Sequence, residues 1–367
     1  MKKKLRIIGM AAVILVWAAL AIFAWVKPTQ ESSLAERRPL EQFPEVKSEA
    51  ILSGKFMEDF ESYTLDQFPL RDSFRQLKAL FHYDVLLQKD NNGIYITDGY
   101  AAQLEYPLSE KAVDHAVGRL QWVYDKYLKG SDCRVYYGIV PDKGYFLAEE
   151  NGYPAMDYAL LQQKLSRGLS FAKEIPLADT LNIEDYYYTD THWRQEKLLD
   201  TAARICEAMG VTPPKAGDYT VTALERPFYG VYYGQAALPM QPETMYILEN
   251  QLLGQCKVYN YETGKYTGVY DMEKAAGKDQ YEVYLSGSQS LLRIENPNAK
   301  TERELVIFRD SFTSSLTPLL LADYKTVTLV DIRFMESWML ERFIKFENQD
   351  VLFLYNTAVL NNGTQLK

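Results

Sequence analysis

The chain has 367 residues, 47% hydrophobic and 24% charged, which is enough for one large domain or two small ones and too apolar for extended disorder. Its formal net charge of −9 argues against nucleic acid as a partner, because a phosphate backbone selects a basic surface. Cys133, Cys206 and Cys256 are odd in number and lack metal-ligand spacing, so they read as mostly buried thiols with one disulfide possible.

The N-terminus opens with MKKKLR, followed at residues 7–26 by an uncharged apolar run long enough to cross a bilayer as a helix. Lys2, Lys3, Lys4 and Arg6 predict a cytoplasmic tail (1–6), a transmembrane anchor (7–26) and an exported remainder, single-pass at the cell membrane. A cleaved signal peptide is the competing reading, although its apolar region is usually shorter. Without the four tail cations the net charge is near −13, which opposes docking on an anionic membrane surface.

Residues 27–45 are polar and proline-containing and read as a spacer. An N-terminal helical and hairpin region should follow at 46–104. It has an amphipathic helix near 47–66, a break at Pro69, a second helix and a hairpin over NNGIYITDGY, 91–100. From 105 to 210 helices alternate with strands: a helix at 109–128, the strand CRVYYGIV, a helix near 157–170, a strand near 174–178, and a helix at 195–210 ending on glycine. Residues 211–300, rich in tyrosine, glycine and short β-like runs, read as a β-rich insertion. The α/β pattern resumes at 301–367, with strands ELVIF, TVTLVDI and VLFLYN separated by helices at SSLTPLLLADY and MESWMLERFIKF. Strand–helix alternation with short loops implies parallel neighbours in one sheet flanked by helices.

Ligands of open parallel sheets bind beyond the carboxyl ends of the strands. Those ends offer Ser311 after LVIFRD, Arg333 after TVTLVDI, Asn356 at the end of VLFLYN and Lys143 after CRVYYGIV. Ser311 could be a nucleophile at a strand-to-helix turn or only a helix cap. A serine nucleophile needs a base, and a histidine base needs a partner that fixes its tautomer. YYYTDTHW supplies both in Asp190 and His192. In an extended segment residues i and i+2 point the same way, so the carboxylate could meet one ring nitrogen while the other faces the serine. A packed or helix-capping histidine is the alternative. Three histidines in the chain, without paired spacing, give little support to a metal, and no cofactor is implied. Lys143 could bind an anionic substrate group or be a solvated loop lysine. Trp193 could wall the site or stack on a sugar, or simply pack. The 28 tyrosines suit either core packing or a sugar-binding cleft.

DTHW before a helix, and a later DSF after an apolar strand, resemble the DHHW-type proteins, relatives of the alginate O-acetyltransferase group with an SGNH-hydrolase-like fold. RRPLEQFP, SGKFMEDFESYTLDQFPLRD, IVPDK, YYYTDTHW and IFRDSFTSSLTPLL…DYKTVTLVDIRF fall in that family's order and cover most of the chain beyond the anchor. The resemblance implies Ser311 as nucleophile, His192 as general base and Asp190 as its orienting partner. It places Asn356 at the oxyanion hole and Arg333 near the substrate. The family's usual glycine before Asp-Ser is Arg309 here, and the first histidine of DHHW is Thr191. Asp310 should order the turn. The implied activity is O-acetylation of an envelope or secreted polysaccharide, with the acyl group delivered by a multi-pass membrane acyltransferase. An O-acetylesterase or a non-catalytic polysaccharide-binding or assembly protein are the other readings.

Overall fold

The computed structural model describes residues 2–33 and 35–367. The chain divides into two units, residues 1–92 with 233–239, and residues 93–232 with 240–367.

The first unit opens with the helix Lys2–Val26. Its stretch Arg6–Val26 carries no charge after Arg6, and its most apolar part is not buried. That is long and apolar enough to cross a membrane, and a signal sequence has the same place and character. Strand β1 (Ser32–Ser33) pairs antiparallel with β2 (Arg38–Pro39). Residues 27–45, expected as a spacer, are fastened down here. Arg38 forks onto Asp66 at 2.7 and 2.6 Å, and the Glu41 amide donates to the same carboxylate at 2.9 Å. The Arg38 guanidinium holds the Asp66 carboxyl below its ordinary range, against the effect of burial. The helix expected at 47–66 forms as two, Ser48–Ser53 and Lys55–Asp66. Gly54, at φ 83°, takes the left-handed conformation that closes the first.

The second unit begins with a hairpin, β3 (Ile94–Thr97) and β4 (Tyr100–Gln103), turning at Asp98-Gly99. Its body is an eight-stranded sheet. The strands in chain order are β5 (Arg134–Val140) and β6 (Lys173–Ile175), then β7 (Thr220–Ala223) and β8 (Tyr246–Glu249), which pair only with each other. There follow β9 (Lys257–Asn260), β10 (Lys265–Thr267), β11 (Leu291–Glu295), β12 (Arg303–Arg309), β13 (Tyr324–Val330) and β14 (Asp350–Asn356). The sheet order is β10-β9-β11-β13-β12-β14-β5-β6. The five strands from β13 to β6 are parallel, and β11, β9 and β10 extend that edge antiparallel. Residues 211–300 therefore do not all fold apart from the main sheet: β7 and β8 form their own pair, but the other three strands complete the main one.

The apolar runs LVIF and VLFLY reflect burial on both faces. Leu305, Ile307, Leu352 and Leu354 point to one side, against Ala202, Ile205 and Met209 of the helix Leu199–Met209. Val306, Phe308, Val351 and Phe353 alternate to the other, against Val113, Ala116 and Leu120 of the helix Glu110–Val123 and Leu161 and Leu165 of the helix Tyr158–Gly168. The helix expected over SSLTPLLLADY is one short turn, Thr313–Leu316, followed by a 3-10 stretch, Thr317–Asp323. Pro318 lacks the N–H that an α-helix would need there. MESWMLERFIKF forms only the 3-10 segment Ser337–Arg342, with Ser337 and Leu340 buried on one edge three residues apart. The three cysteines are free thiols, Cys206 and Cys256 buried and Cys133 half-buried.

Chain direction fixes where a ligand could sit. From β12 the chain crosses to β13 on one side, and from β5 it crosses to β6 on the other, with β14 between them. The reversal opens a crevice at the carboxyl ends of β12, β14 and β5.

Candidate active site

Ser311 lies in the turn after β12. Every residue from Leu305 to Leu321 is buried except Ser311, which is partly open. It does not cap the following helix, whose N-cap is Phe312 without a side-chain bond. Asp310 orders the turn: its Oδ1 accepts the Phe312 amide at 3.0 Å and its Oδ2 the Asn356 amide at 2.6 Å. One carboxylate thus fastens the serine turn to the end of the neighbouring strand. Arg309, at the position of the family's glycine, is fully buried and lies under the turn. Its Nη1 donates to Ser314 Oγ at 2.6 Å and its Nη2 reaches the Gly287 and Gln289 carbonyls at 3.3 and 3.4 Å.

Asp190, His192 and Ser311 form one hydrogen-bonded line. Asp190 Oδ1 lies 2.6 Å from His192 Nδ1, and His192 Nε2 lies 2.8 Å from Ser311 Oγ. A carboxylate can only accept, so Nδ1 carries the proton and Nε2 is left to accept from the serine hydroxyl. Asp190 does not reach His192 through extended backbone, as the spacing suggested. Residues 186–193 fold back on themselves, with Tyr186 bridged to Trp193 and the Tyr187 amide donating to the His192 carbonyl at 3.1 Å. Within that turn Asp190 Oδ1 also accepts the His192 amide at 3.1 Å.

The segment 211–300 supplies what the motif lacks. The Val231 amide donates to Asp190 Oδ2 at 2.8 Å, and the Gly230 amide to Thr189 Oγ1 at 2.9 Å. Gly230 sits so close that a Cβ there would lie 2.3 Å from Asp190 Cβ and 2.4 Å from its Cα. Glu243 accepts the Tyr188 amide at 2.8 Å, the Thr189 amide at 2.9 Å and the Thr189 hydroxyl at 3.0 Å. Burial raises the Glu243 carboxyl, and these three donors oppose the rise. Tyr281 stacks on His192 with ring centroids 3.8 Å apart and planes within 10°, and its hydroxyl meets Ser315 Oγ at 2.8 Å. Tyr281, Glu243, Gly230 and Val231 were not identifiable from sequence. Each is an ordinary residue type 38 to 89 positions from His192 in the chain.

Of the four other expected site residues, Lys143, Trp193 and Asn356 sit otherwise than anticipated. Lys143 is not a loop cation open to substrate. It starts the helix Lys143–Leu147, is 3% exposed, and donates to the Ala101 and Tyr188 carbonyls at 2.7 and 3.2 Å. Burial pushes its pKa down to about 7, against the pull of Asp190 and Glu243. Trp193 is fully buried, so it cannot stack on a sugar. Its Nε1 donates to the Phe312 carbonyl at 2.9 Å and to Ser315 Oγ at 3.0 Å, tying the histidine segment to the serine turn. Asn356 has its amide hydrogens directed at the Val140 and Pro141 carbonyls, at 3.1 and 3.3 Å, while Oδ1 caps the helix Thr357–Asn361. Those bonds occupy the group expected to hold an oxyanion. Arg333 is half-buried with Nε and Nη2 on Asp331 at 2.9 and 2.6 Å, and its charge favours the ionised form of Asp310. Among the described residues no three His, Cys, Asp or Glu side chains come together as a metal-ligating group.

No family model and no curated protein matches the chain. Solved structures do. A DHHW family protein from Eubacterium siraeum DSM 15702 superposes with a TM-score of 0.60 at 21% identity, covering 75% of this chain and 94% of that one. Bacillus cereus PatB1, solved with a sulfonyl adduct, gives 0.58 at 20% identity over 73% of this chain and 95% of its own. The O-acetyltransferase domain of Pseudomonas putida AlgJ is more distant, at 0.44 and 12% identity, a level that carries no argument. The first two establish the fold: this chain has the mixed α/β architecture, with a central mostly parallel sheet, of a DHHW family protein. The resemblance read from its motifs holds at that level.

Proposed function

We propose that this chain is an SGNH-like acyl-transfer enzyme, exported and held at the membrane by its N-terminal helix, that O-acetylates an envelope or secreted polysaccharide. The observation that carries the reading is the line Asp190–His192–Ser311, ending on the one open residue of an otherwise buried turn. Ser311 Oγ attacks the acyl carbonyl while His192 Nε2 takes its proton. His192 returns that proton to the leaving group, and the acyl group rests on Ser311. A sugar hydroxyl then attacks this ester, losing its proton to His192, and Ser311 is regenerated. Asp190 keeps the ring in the working tautomer and stabilises the imidazolium. Arg333, whose Nη1 carries no protein partner among the described residues, is the candidate for holding substrate charge. The acetyl group, the polysaccharide acceptor and a multi-pass membrane acyltransferase as donor come from the family resemblance. The basic tail before the apolar helix supports the exported orientation.

The test is covalent capture. A sulfonyl fluoride should sulfonylate Ser311 in the full chain, read by peptide mass, and the protein should release p-nitrophenol from p-nitrophenyl acetate. Ser311→Ala should abolish both, and His192→Ala should slow both by at least about 100-fold. Labelling spread over several residues, or unchanged in His192→Ala, would refute an activated serine.

A further inference from the structure

Along the same carboxyl-end edge of the sheet lies a cavity of about 1160 Å³. It is built where β5 and β6 end, by Ile139 and Pro141 on one and Ile175 and Pro176 on the other, and is closed by the helix Tyr158–Gly168. That volume is far beyond a packing defect and matches the size of ligand sites. Thr357 lines it. Thr357 directly follows Asn356, whose amide is held by Asp310, the residue before Ser311. With strands about 4.8 Å apart, the cavity under β5 begins roughly 10 Å from the strand that carries Ser311.

Its lining has the chemistry of a sugar site. Tyr145, Tyr153 and Tyr158 contribute rings whose positions are fixed by packing. Tyr153 stacks on Tyr95 at 4.0 Å, and Tyr145 meets Tyr158 edge-on at 5.1 Å while remaining 45% exposed. A fixed tyrosine offers a flat apolar face for a pyranose and a hydroxyl for its rim. Between the rings are acceptors. Glu149, Asp157, Glu174 and Asp179 line the cavity, and among the described residues no lysine or arginine does. Glu174 is oriented by the Tyr137 hydroxyl at 2.6 Å and by Gln162, another lining residue. Arg204 pairs with Asp179 at 3.0 Å from outside the lining, which leaves the other three carboxylates in excess. Carboxylates accept from sugar hydroxyls and repel acidic ones.

We infer that this cavity binds an oligosaccharide free of acidic groups, positioning an acceptor hydroxyl for Ser311. The inference rests on the acyl-transfer reading for its purpose but not for its test, because binding is measured without turnover. In this arrangement a uronate or phosphate polymer is a poor acceptor, and a chain of neutral or amine-bearing hexoses is a good one.

Full-length protein carrying Ser311→Ala would be titrated calorimetrically with trimers of N-acetylglucosamine, glucosamine and galacturonate. The two non-acidic trimers should bind and the uronate should bind at least tenfold more weakly. Tyr145→Ala, a half-open rim position, should weaken binding several-fold without loss of thermal stability, and Glu149→Lys should narrow the gap between the uronate and the others. Uronate binding equal to that of the other trimers, saturation by none of them, or affinities unchanged in both variants would overturn the inference. None of these results depends on Ser311 chemistry, which the sulfonyl capture tests separately.

Discussion

Gly230→Ala should cripple the site without replacing any residue of the line. Gly230 does not take a left-handed backbone, so alanine is locally allowed, and the objection to it is space. The new Cβ would stand 2.3 Å from both Asp190 Cβ and the Thr189 carbonyl oxygen. Ordinary carbon contacts are about 3.5 Å, so something must move by about 1 Å. If the 228–231 segment retreats, the Val231 bond to Asp190 and the Gly230 bond to Thr189 stretch beyond use. If Asp190 gives way, its 2.6 Å bond to His192 is lost. Overpacking of this kind costs about 1–3 kcal/mol of stability, and a 1 Å misplacement of a catalytic group costs up to about 100-fold in rate. The assay is the second-order rate of sulfonylation at Ser311, with thermal melts alongside. In an Asp190→Ala background the same glycine change should have less than a threefold further effect, since it acts through Asp190. A folded Gly230→Ala protein that labels within twofold of the parent would refute the reasoning.

Glu105 is 7% exposed, and burial with help from the Asp142 charge pushes its carboxyl up to about 7, against a bond from Asn361. Its folded pKa lies above the unfolded one, so the native state holds more protons between pH 4.5 and 7 and stability falls as pH rises through that window. Glu105→Gln should stabilise the protein at pH 8 by no more than about 3 kcal/mol and have little effect at pH 4, measured by denaturant melts at the two pH values. Tyr281→Phe keeps the ring over His192 and removes only the bond to Ser315, so it should cost about 1 kcal/mol with sulfonylation nearly unchanged, whereas Tyr281→Leu should slow labelling. Equal rates in the two Tyr281 variants would mean that the stacking does not position His192. Trp193→Phe keeps an aromatic ring but gives up part of the indole's bulk and the donor that two acceptors share, and should lower stability by about 1–3 kcal/mol or more in melts. An unchanged melting temperature would show that the tie to the serine turn carries no strength.

Local chemistry was legible wherever it was written in adjacent residues. The apolar runs after 304 and 350 gave the parallel strands because burial on both faces leaves no room for polar alternation. The helix after 195 ended where Gly210 could take φ 65°. Asp190, His192 and Ser311 were readable as a set from motif order, and Asp310 as the residue that orders the turn. Residue type misled where a side chain had two possible environments. Lys143, Trp193 and Asn356 occupy the ends of strands and turns facing the crevice, yet each donates to a backbone carbonyl inside the protein. Sequence records that a lysine follows β5, but only packing decides whether its ammonium meets water or the Ala101 and Tyr188 carbonyls. By itself, then, the sequence determined the α/β order and an apolar N-terminal helix, because periodicity and composition act over a few neighbouring residues, while the grouping of Asp190, His192 and Ser311 came from the family resemblance. The tertiary structure decided that strands from 257–295 complete the sheet, that Val231 holds Asp190 while Gly230 and Glu243 hold Thr189 beside it, and that Tyr281 lies on His192. Those contacts join residues tens of positions apart, and their strength comes from desolvation and close approach, which exist only once the chain has folded.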